Sequence, residues 1–321
     1  MKIFLAAAIG LAATFAAPAN AQNYPNQIIK VIVPFPPGGV LDAITRSITE
    51  RLREKLGQAA IIENRAGANG SLGLEACAKA TPDGYTICAV TIEQMITAPS
   101  LEPEQWARYK TLAPLTQMLR AGGVVYASPD LGIKTLDGLV ALAKKEPGKL
   151  NYASFGRGSS PQLFFEWLRA HKGADLFHVP MRSAGDIMNE LVGGRIQASY
   201  VTVGFAKPQA EAGKIVPLAV TGDSREPLLP DVPSLGELGL NFPYKGGWFA
   251  LMAPPGVDEK IMNRLAGAVR ELVEEADYRS KFLEPQGYVG IGNTPAEFAT
   301  LLKVEMARGD ELAKLVPAPN N

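Results

Sequence analysis

The chain has 321 residues, 47% of them hydrophobic and 20% charged, with 32 basic residues balanced by 32 acidic ones. Balanced charge without a dense basic run excludes nucleic acid as a partner, because such a partner needs a clustered positive face. His171 and His178 are the only histidines, and Cys77 and Cys88 lack CxxC spacing, so no metal and no cofactor are expected.

Lys2 precedes an apolar run over residues 3–15 and the small-x-small pattern Ala19-Asn20-Ala21, the form of an export signal cleaved after Ala21. The run is too short to span a bilayer, and no later stretch is long and apolar enough, so the mature chain is expected in the periplasm. About 300 residues remain, room for two domains with substantial cores.

Residues 28–33 form a short apolar run rich in β-branched residues, the pattern of a buried strand, which Pro34 ends. Gly38 and Gly39 permit backbone angles closed to other residues. From Asp42 the spacing turns helical, with Ile44, Ile48, Leu52 and Leu56 four residues apart. A turn of this kind presents free N–H groups above the strand ends, where an anion is favoured; a plain βα connection without a ligand is the alternative. Residues 59–63 predict a second strand and 64–71 a turn-rich loop, with Ser71 placed to cap a helix over 72–80. Pro82-Asp83-Gly84 turns the chain into a third strand over 85–90. Two successive β-loop-α units imply a largely parallel sheet with its loops gathered at the carboxyl ends. No GxxxxGK[ST] and no complete GxGxxG is present, which weighs against phosphate. Cys77 and Cys88 flank the third turn; a pair of buried thiols and a disulfide both fit, and the short connection favours the disulfide.

Residues 94–109 read as irregular and 112–119 as a returning strand. Gly122-Gly123 then suggests a crossing into a second domain. There a helix over 135–145 and a strand over 150–154 lead to Gly156-Arg157-Gly158-Ser159-Ser160-Pro161 and a further helix. Ser159 or Ser160 fits an N-cap and Pro161 the first turn. A hydroxyl, glycine N–H groups and a guanidinium at one helix start suit a carboxylate; a capped helix with a solvated Arg157 is the alternative. Strands over 177–180, 196–203 and 215–221, a helix over 187–191 and a strand over 246–251 follow. Two amphipathic helices, 259–275 and 295–314, close the chain.

Several of these segments resemble, in order, the substrate-binding proteins of the tripartite tricarboxylate transporter (Bug) family. They are PFPPGGxxDxxxR over 34–46, ENRxGAxGxxG over 63–73, AKATPDGYT over 78–86, residues 156–159, 178–180 and 191–194, and AVTxxxRxPLLPDVPS over 219–234. The resemblance implies an α/β, two-lobed periplasmic-binding-protein (Venus flytrap) fold, each lobe a mixed, mostly parallel sheet flanked by helices. The expected division is residues 22–122 with 247–321 as one lobe and 123–246 as the other. It further implies a monomeric receptor that closes on a small organic carboxylate and presents it to membrane permease subunits. The expected binding residues are Phe35, Pro37, Gly38 and Gly39; Ala68, Asn69, Gly70 and Ser71; Thr91 and Glu93; Gly156, Arg157, Gly158, Ser159 and Ser160; and Met181, Arg182 and Thr202. Gly38, Gly39, Gly158 and Ser159 are expected to supply the N–H groups that neutralise the carboxylate.

The chain departs from the family pattern at Leu41, at residues 91–95, at Gln162 and at Met181-Arg182. Leu41, Met95 and Met181 suggest walls suited to an apolar or aromatic ligand body. Glu93 would repel an anion, so it is expected either to point into solvent or to pair with a cation or donor on the ligand. No enzyme is expected: Asn69-Gly70-Ser71-Leu72-Gly73 lacks the first glycine of GxSxG. A periplasmic sensing partner of a signalling kinase uses the same fold and is the main alternative, ahead of a periplasmic hydrolase.

Overall fold

The computed structural model describes residues 24–318; the expected export signal and its cleavage site lie outside them. β1 (Ile29–Val33), α1 (Val40–Leu56), β2 (Ala60–Asn64), α2 (Ser71–Ala78) and β3 (Thr86–Thr91) follow the apolar patterning closely. Three short helices, α3 (Ile92–Ile96), α4 (Ala98–Leu101) and α5 (Pro103–Trp106), replace the expected irregular stretch, before β4 (Ala113–Ala121). A capping box between Thr91 and Gln94 starts α3. One such box sets a single helical turn but leaves no periodicity to read.

At Gly122 the chain passes to a second sheet. Its elements are β5 (Gly123–Ala127), α6 (Leu136–Lys145), β6 (Asn151–Ser154), α7 (Ser160–Lys172), β7 (Phe177–Pro180), α8 (Ala184–Val192), β8 (Ala198–Thr202), α9 (Val203–Glu211) and β9 (Val216–Val220). The pattern did not reveal α9, which carries Pro208 inside it, where proline argues against helix. The chain returns as β10 (Gly247–Ala253), then α10 (Glu259–Glu274), α11 (Ala276–Tyr278), β11 (Tyr288–Gly290) and α12 (Pro295–Ala313).

The first sheet has the order β11-β4-β10-β3-β1-β2 and the second β7-β6-β8-β5-β9. Both are mixed, and less parallel than the sequence suggested. In the first, β1 is parallel to β2 and β3 while β10 and β11 pair antiparallel. In the second, β6 is parallel to β7 and β8 while β5 pairs antiparallel with β8 and β9. The crossing explains the departure. β5 and β10 are each the first strand after the chain changes sheet, and each runs against both neighbours. The two crossings lie side by side: Gly247 pairs with Ala121, and Thr221 exchanges hydrogen bonds with Gly123.

α1 buries Ile44, Ile48, Leu52 and Leu56 against a core shared with Leu265, Val269 and Leu272 of α10. A second cluster is continuous across both sheets, joining Val90, Ile92 and Trp248 to Phe164, Trp167 and Tyr244. Cys77 of α2 and Cys88 of β3 are bridged, with Cα atoms 6.1 Å apart. Closing so short a loop contributes about 3 kcal/mol in the chain-entropy view.

Candidate functional site

β3, β1 and β2 are adjacent and parallel, as are β7, β6 and β8. Every expected binding residue lies at or just beyond the carboxyl end of one of these strands. That edge is where an open α/β sheet places a ligand.

In the loop after β1, Gly38 has φ +85° and its N–H donates to Asp42 Oδ2 at 3.0 Å. Asp42 also accepts from the Asn64 amide at 2.9 Å and from Arg46 at 3.0 Å. Burial disfavours its charge, but the Gly38 N–H, Asn64 and Arg46 outweigh this and hold its carboxyl below the usual value. The Gly38 N–H is therefore committed to the loop, contrary to expectation. Gly39 has φ −76°, an angle open to any residue, so the left-handed requirement falls on Gly38 alone. Asn64 also donates to Phe35 O at 3.0 Å. Phe35 is half-buried, Pro37, Gly38 and Gly39 are exposed, and α1 starts behind them with its first-turn N–H groups unpaired within the helix.

After β2, Ala68 and Asn69 adopt left-handed φ values of 46° and 53°. Asn69 donates to Glu102 at 3.4 Å. A Cβ on Gly70 would meet the Gln94 amide nitrogen at 2.3 Å, so this loop rests directly on α3. Ser71 does not cap α2; Gly70 holds the cap position and Ser71 opens the helix. The Ser71 side chain is 2% exposed, and its hydroxyl has no hydrogen-bond partner among the described residues. A buried hydroxyl in that state is a candidate ligand contact.

The loop after β6 repeats the device of the first. Gly158, with φ +74°, donates its N–H to Gln162 Oε1 at 2.7 Å. The Ser159 hydroxyl and N–H both donate to Gly156 O, at 2.6 and 3.2 Å. Neither Gly158 nor Ser159 therefore offers the donor expected of it. Ser160 does offer one, but to the protein itself. Its hydroxyl donates to the Glu93 carboxylate and lies 2.9 Å from the Tyr244 hydroxyl, which reaches the same Glu93 oxygen at 3.2 Å. Burial first, and then the neighbouring Glu93 charge, push the Tyr244 phenol well above its usual value, so it stays a donor. Glu93 thus neither points into open solvent nor awaits a ligand with both oxygens free.

The remaining expected residues spread out. Thr91 caps α3. Arg157 donates to Pro317 O at 2.6 Å, the accepting group that the C-terminal segment brings over this loop. The Met181 side chain packs on the core of the second sheet, Arg182 is exposed, and Thr202 holds the position before α9 without a side-chain cap. Leu41 and Met95 are buried in cores and cannot wall a pocket. Helical spacing on α1 explains Leu41; the unforeseen helix α3 explains Met95. Asp42, Asn64, Gln162 and Tyr244 were not singled out as site residues. For Asp42 and Gln162 a signal existed, an acceptor side chain four residues beyond a glycine at a helix start. Cavities of about 190 and 250 Å³, lined respectively by Phe242 and Lys245 and by Lys207 and Leu229, lie away from these loops.

The nearest approach to a nucleophile and base is Ser154 with His178, Oγ to Nε2 2.6 Å. Ser154 is fully buried and its hydroxyl is engaged by the Gly156 backbone. This pair braces the loop.

The family described as "Tripartite tricarboxylate transporter family receptor" has a model that matches residues 44–314. The chain is 32% identical to Protein BugT of Bordetella pertussis over 311 residues, 95% of this chain and 94% of that one. Among solved structures it is similar to Rpa4515 of R. palustris with adipate, at 27% identity and a TM-score of 0.83, covering 91% of this chain and 98% of that one. It is also similar to MatC from Rhodopseudomonas palustris with bound malate, at 28% identity and a TM-score of 0.81, covering 90% and 100%. The fold is the two-lobed one of periplasmic binding proteins.

Proposed function

This chain belongs to the tripartite tricarboxylate transporter receptor family, and we propose that it captures a small organic carboxylate between two lobes and delivers it to the permease subunits of such a transporter. The lobes are residues 22–122 with 247–321, and 123–246, each built on one sheet. The chain is exported to the periplasm, is cleaved after Ala21, acts as a monomer and binds without turnover. Among the described residues no helix is long and apolar enough to cross a membrane.

The observation that carries this reading is the pair of glycine loops, one per sheet, at the carboxyl ends of β1 and β6. The paired crossings, where Gly247 lies beside Ala121, supply a hinge, so ligand contacts to both lobes favour the closed form. On the first lobe the carboxylate is taken by first-turn N–H groups of α1 and by the Ser71 hydroxyl. Charge-assisted hydrogen bonds of this kind contribute roughly 1.5–3 kcal/mol each. A thermal-shift screen of the purified protein against mono-, di- and tricarboxylates tests the reading. A ligand at a hundred times its Kd adds about 2.7 kcal/mol of stability. Ser71→Ala should weaken the best ligand by tenfold or more. No stabilisation by any carboxylate overturns the proposal.

A further inference from the structure

Glu93 is held in place from both ends. Its backbone lies in α3, fixed by the Thr91–Gln94 capping box, and its carbonyl accepts from the Thr97 hydroxyl at 3.0 Å. Thr97 in turn donates to Gly158 O at 3.2 Å, so α3 rests on the glycine loop of the opposite lobe. The carboxylate reaches across to Ser160, the first residue of α7, and to Tyr244. All the hydrogen bonds fall on Oε1. Among the described residues Glu93 has no Lys or Arg within ion-pair distance, and Oε2 accepts no hydrogen bond. The Tyr200 phenol, pushed up chiefly by burial, also senses the Glu93 charge. The second lobe therefore surrounds Glu93 with neutral hydroxyls, and it spends on the protein's own carboxylate the donors that would otherwise meet a second carboxylate of the ligand.

Resting on the receptor reading above, we propose that Glu93 is the specificity-determining residue of the cleft, and that it selects a carboxylate carrying a cationic nitrogen at its far end over a dicarboxylate. The ligand's single carboxylate is met by the first lobe, and its ammonium pairs with Oε2 of Glu93. A second carboxylate in that place would face an uncompensated like charge in a partly desolvated cleft, which is strongly disfavoured. The chain would then differ from the solved relatives with adipate and malate in what it takes, while sharing their fold.

Calorimetry on the full mature protein with length-matched probes tests this: γ-aminobutyrate against succinate, δ-aminovalerate against glutarate, and ε-aminocaproate against adipate. The expected result is that the amino acid binds at least tenfold tighter than its dicarboxylate in the pair that fits best. In Glu93→Gln, which keeps an acceptor for Ser160 and Tyr244, that ratio should fall by tenfold or more. A dicarboxylate bound more tightly by the wild type, or a ratio unchanged in Glu93→Gln, overturns the proposal and leaves the receptor reading intact. Binding confined, in a wider panel, to carboxylates without a nitrogen overturns it too. If no carboxylate binds at all, the receptor reading fails and this one falls with it. Should Glu93→Gln not fold, the wild-type ratio alone decides.

Discussion

The loops after β1 and β6 are the same device built twice, with different chemistry. Each enters its helix through a left-handed glycine, Gly38 or Gly158, followed by a cap residue, Gly39 or Ser159. In each, the glycine N–H is taken by the side chain four residues on, Asp42 or Gln162. Asp42 is charged and tied to Arg46 and Asn64, and its loop is exposed. Gln162 is neutral and lies 3.4 Å from His178, and Gly158, Ser159 and Ser160 of its loop are buried, with Gly158 packed beneath α3 and α4. The first loop is thus rigid by electrostatics and exposed. The second is rigid by packing, and Glu93 already stands over it.

The sharpest way to break the comparison is at the two glycines. Val at either one forces a β-branched residue to left-handed φ, which costs about 1–2 kcal/mol. At Gly38 a Cβ meets nothing within 4 Å, so no clash at Cβ adds to it. At Gly158 a Cβ would lie 2.7 Å from Leu101 Cδ1 and 3.2 Å from the Thr97 hydroxyl, both from the segment after β3 in the first sheet. Overpacking adds about 1–3 kcal/mol there and also props the lobes apart. Gly158→Val should therefore destabilise more than Gly38→Val in urea melts, and solution scattering should show it expanded. Equal losses without expansion would mean that the second loop is not clamped by the first lobe.

Much of this arrangement was legible beforehand. Local patterns such as Ile44, Ile48, Leu52 and Leu56, or a glycine-rich turn after an apolar run, report local structure, and both glycine loops were found that way. The antiparallel placing of β5 and β10 was not legible, because strand partners are chosen by residues far along the chain. Glu93 shows the same limit within the site. Its loop position left two expectations, a carboxylate in solvent or one paired with the ligand, because its partners Ser160 and Tyr244 lie 67 and 151 residues away. Nothing local marks Tyr244 as one of them. The pocket walls fail for the opposite reason: proximity to a loop suggests Leu41 and Met95, whereas helix spacing turns both into cores.

A smaller effect separates the two supporting side chains. Asp42→Ala leaves the Gly38 N–H, the Asn64 amide and Arg46 without their common acceptor, a loss of about 2–3 kcal/mol for charge-assisted bonds. Gln162→Ala removes two neutral bonds, one of them the long contact with His178, and should cost about 1–2 kcal/mol. The acid response differs as well. The carboxyl of Asp42 sits below its ordinary value of 3.8 in the folded chain, so the unfolded chain takes the proton first. Its contribution is complete above that ordinary value and is lost as pH falls through the folded one. Asp42→Asn should therefore flatten the most acidic part of a stability profile and leave the rest unchanged. A profile altered only near neutrality would place the charge elsewhere.

The smallest expected effect is the acid response of the second loop, which begins at a higher pH. His178 stacks on Tyr152 with ring centroids 5.0 Å apart and meets Ser154, whose hydroxyl accepts from the Gly156 N–H at 3.0 Å. Burial lowers its pKa below the ordinary 6.5, with Glu166 opposing more weakly. The unfolded chain then binds the proton that the folded one resists. Stability is complete above 6.5 and declines as pH falls from there to the folded value, below which the loss is constant. With its carboxyl held below 3.8, Asp42 is still ionised near pH 5, so the second loop weakens there while the first keeps its support. Urea midpoints near pH 7 and about pH 5 should therefore fall further apart in the wild type than in His178→Gln, which keeps a polar side chain beside Ser154 but cannot titrate. If the two proteins lose the same amount, His178 is not what couples the second loop to pH, and the contrast between the loops rests on packing and on Asp42 alone.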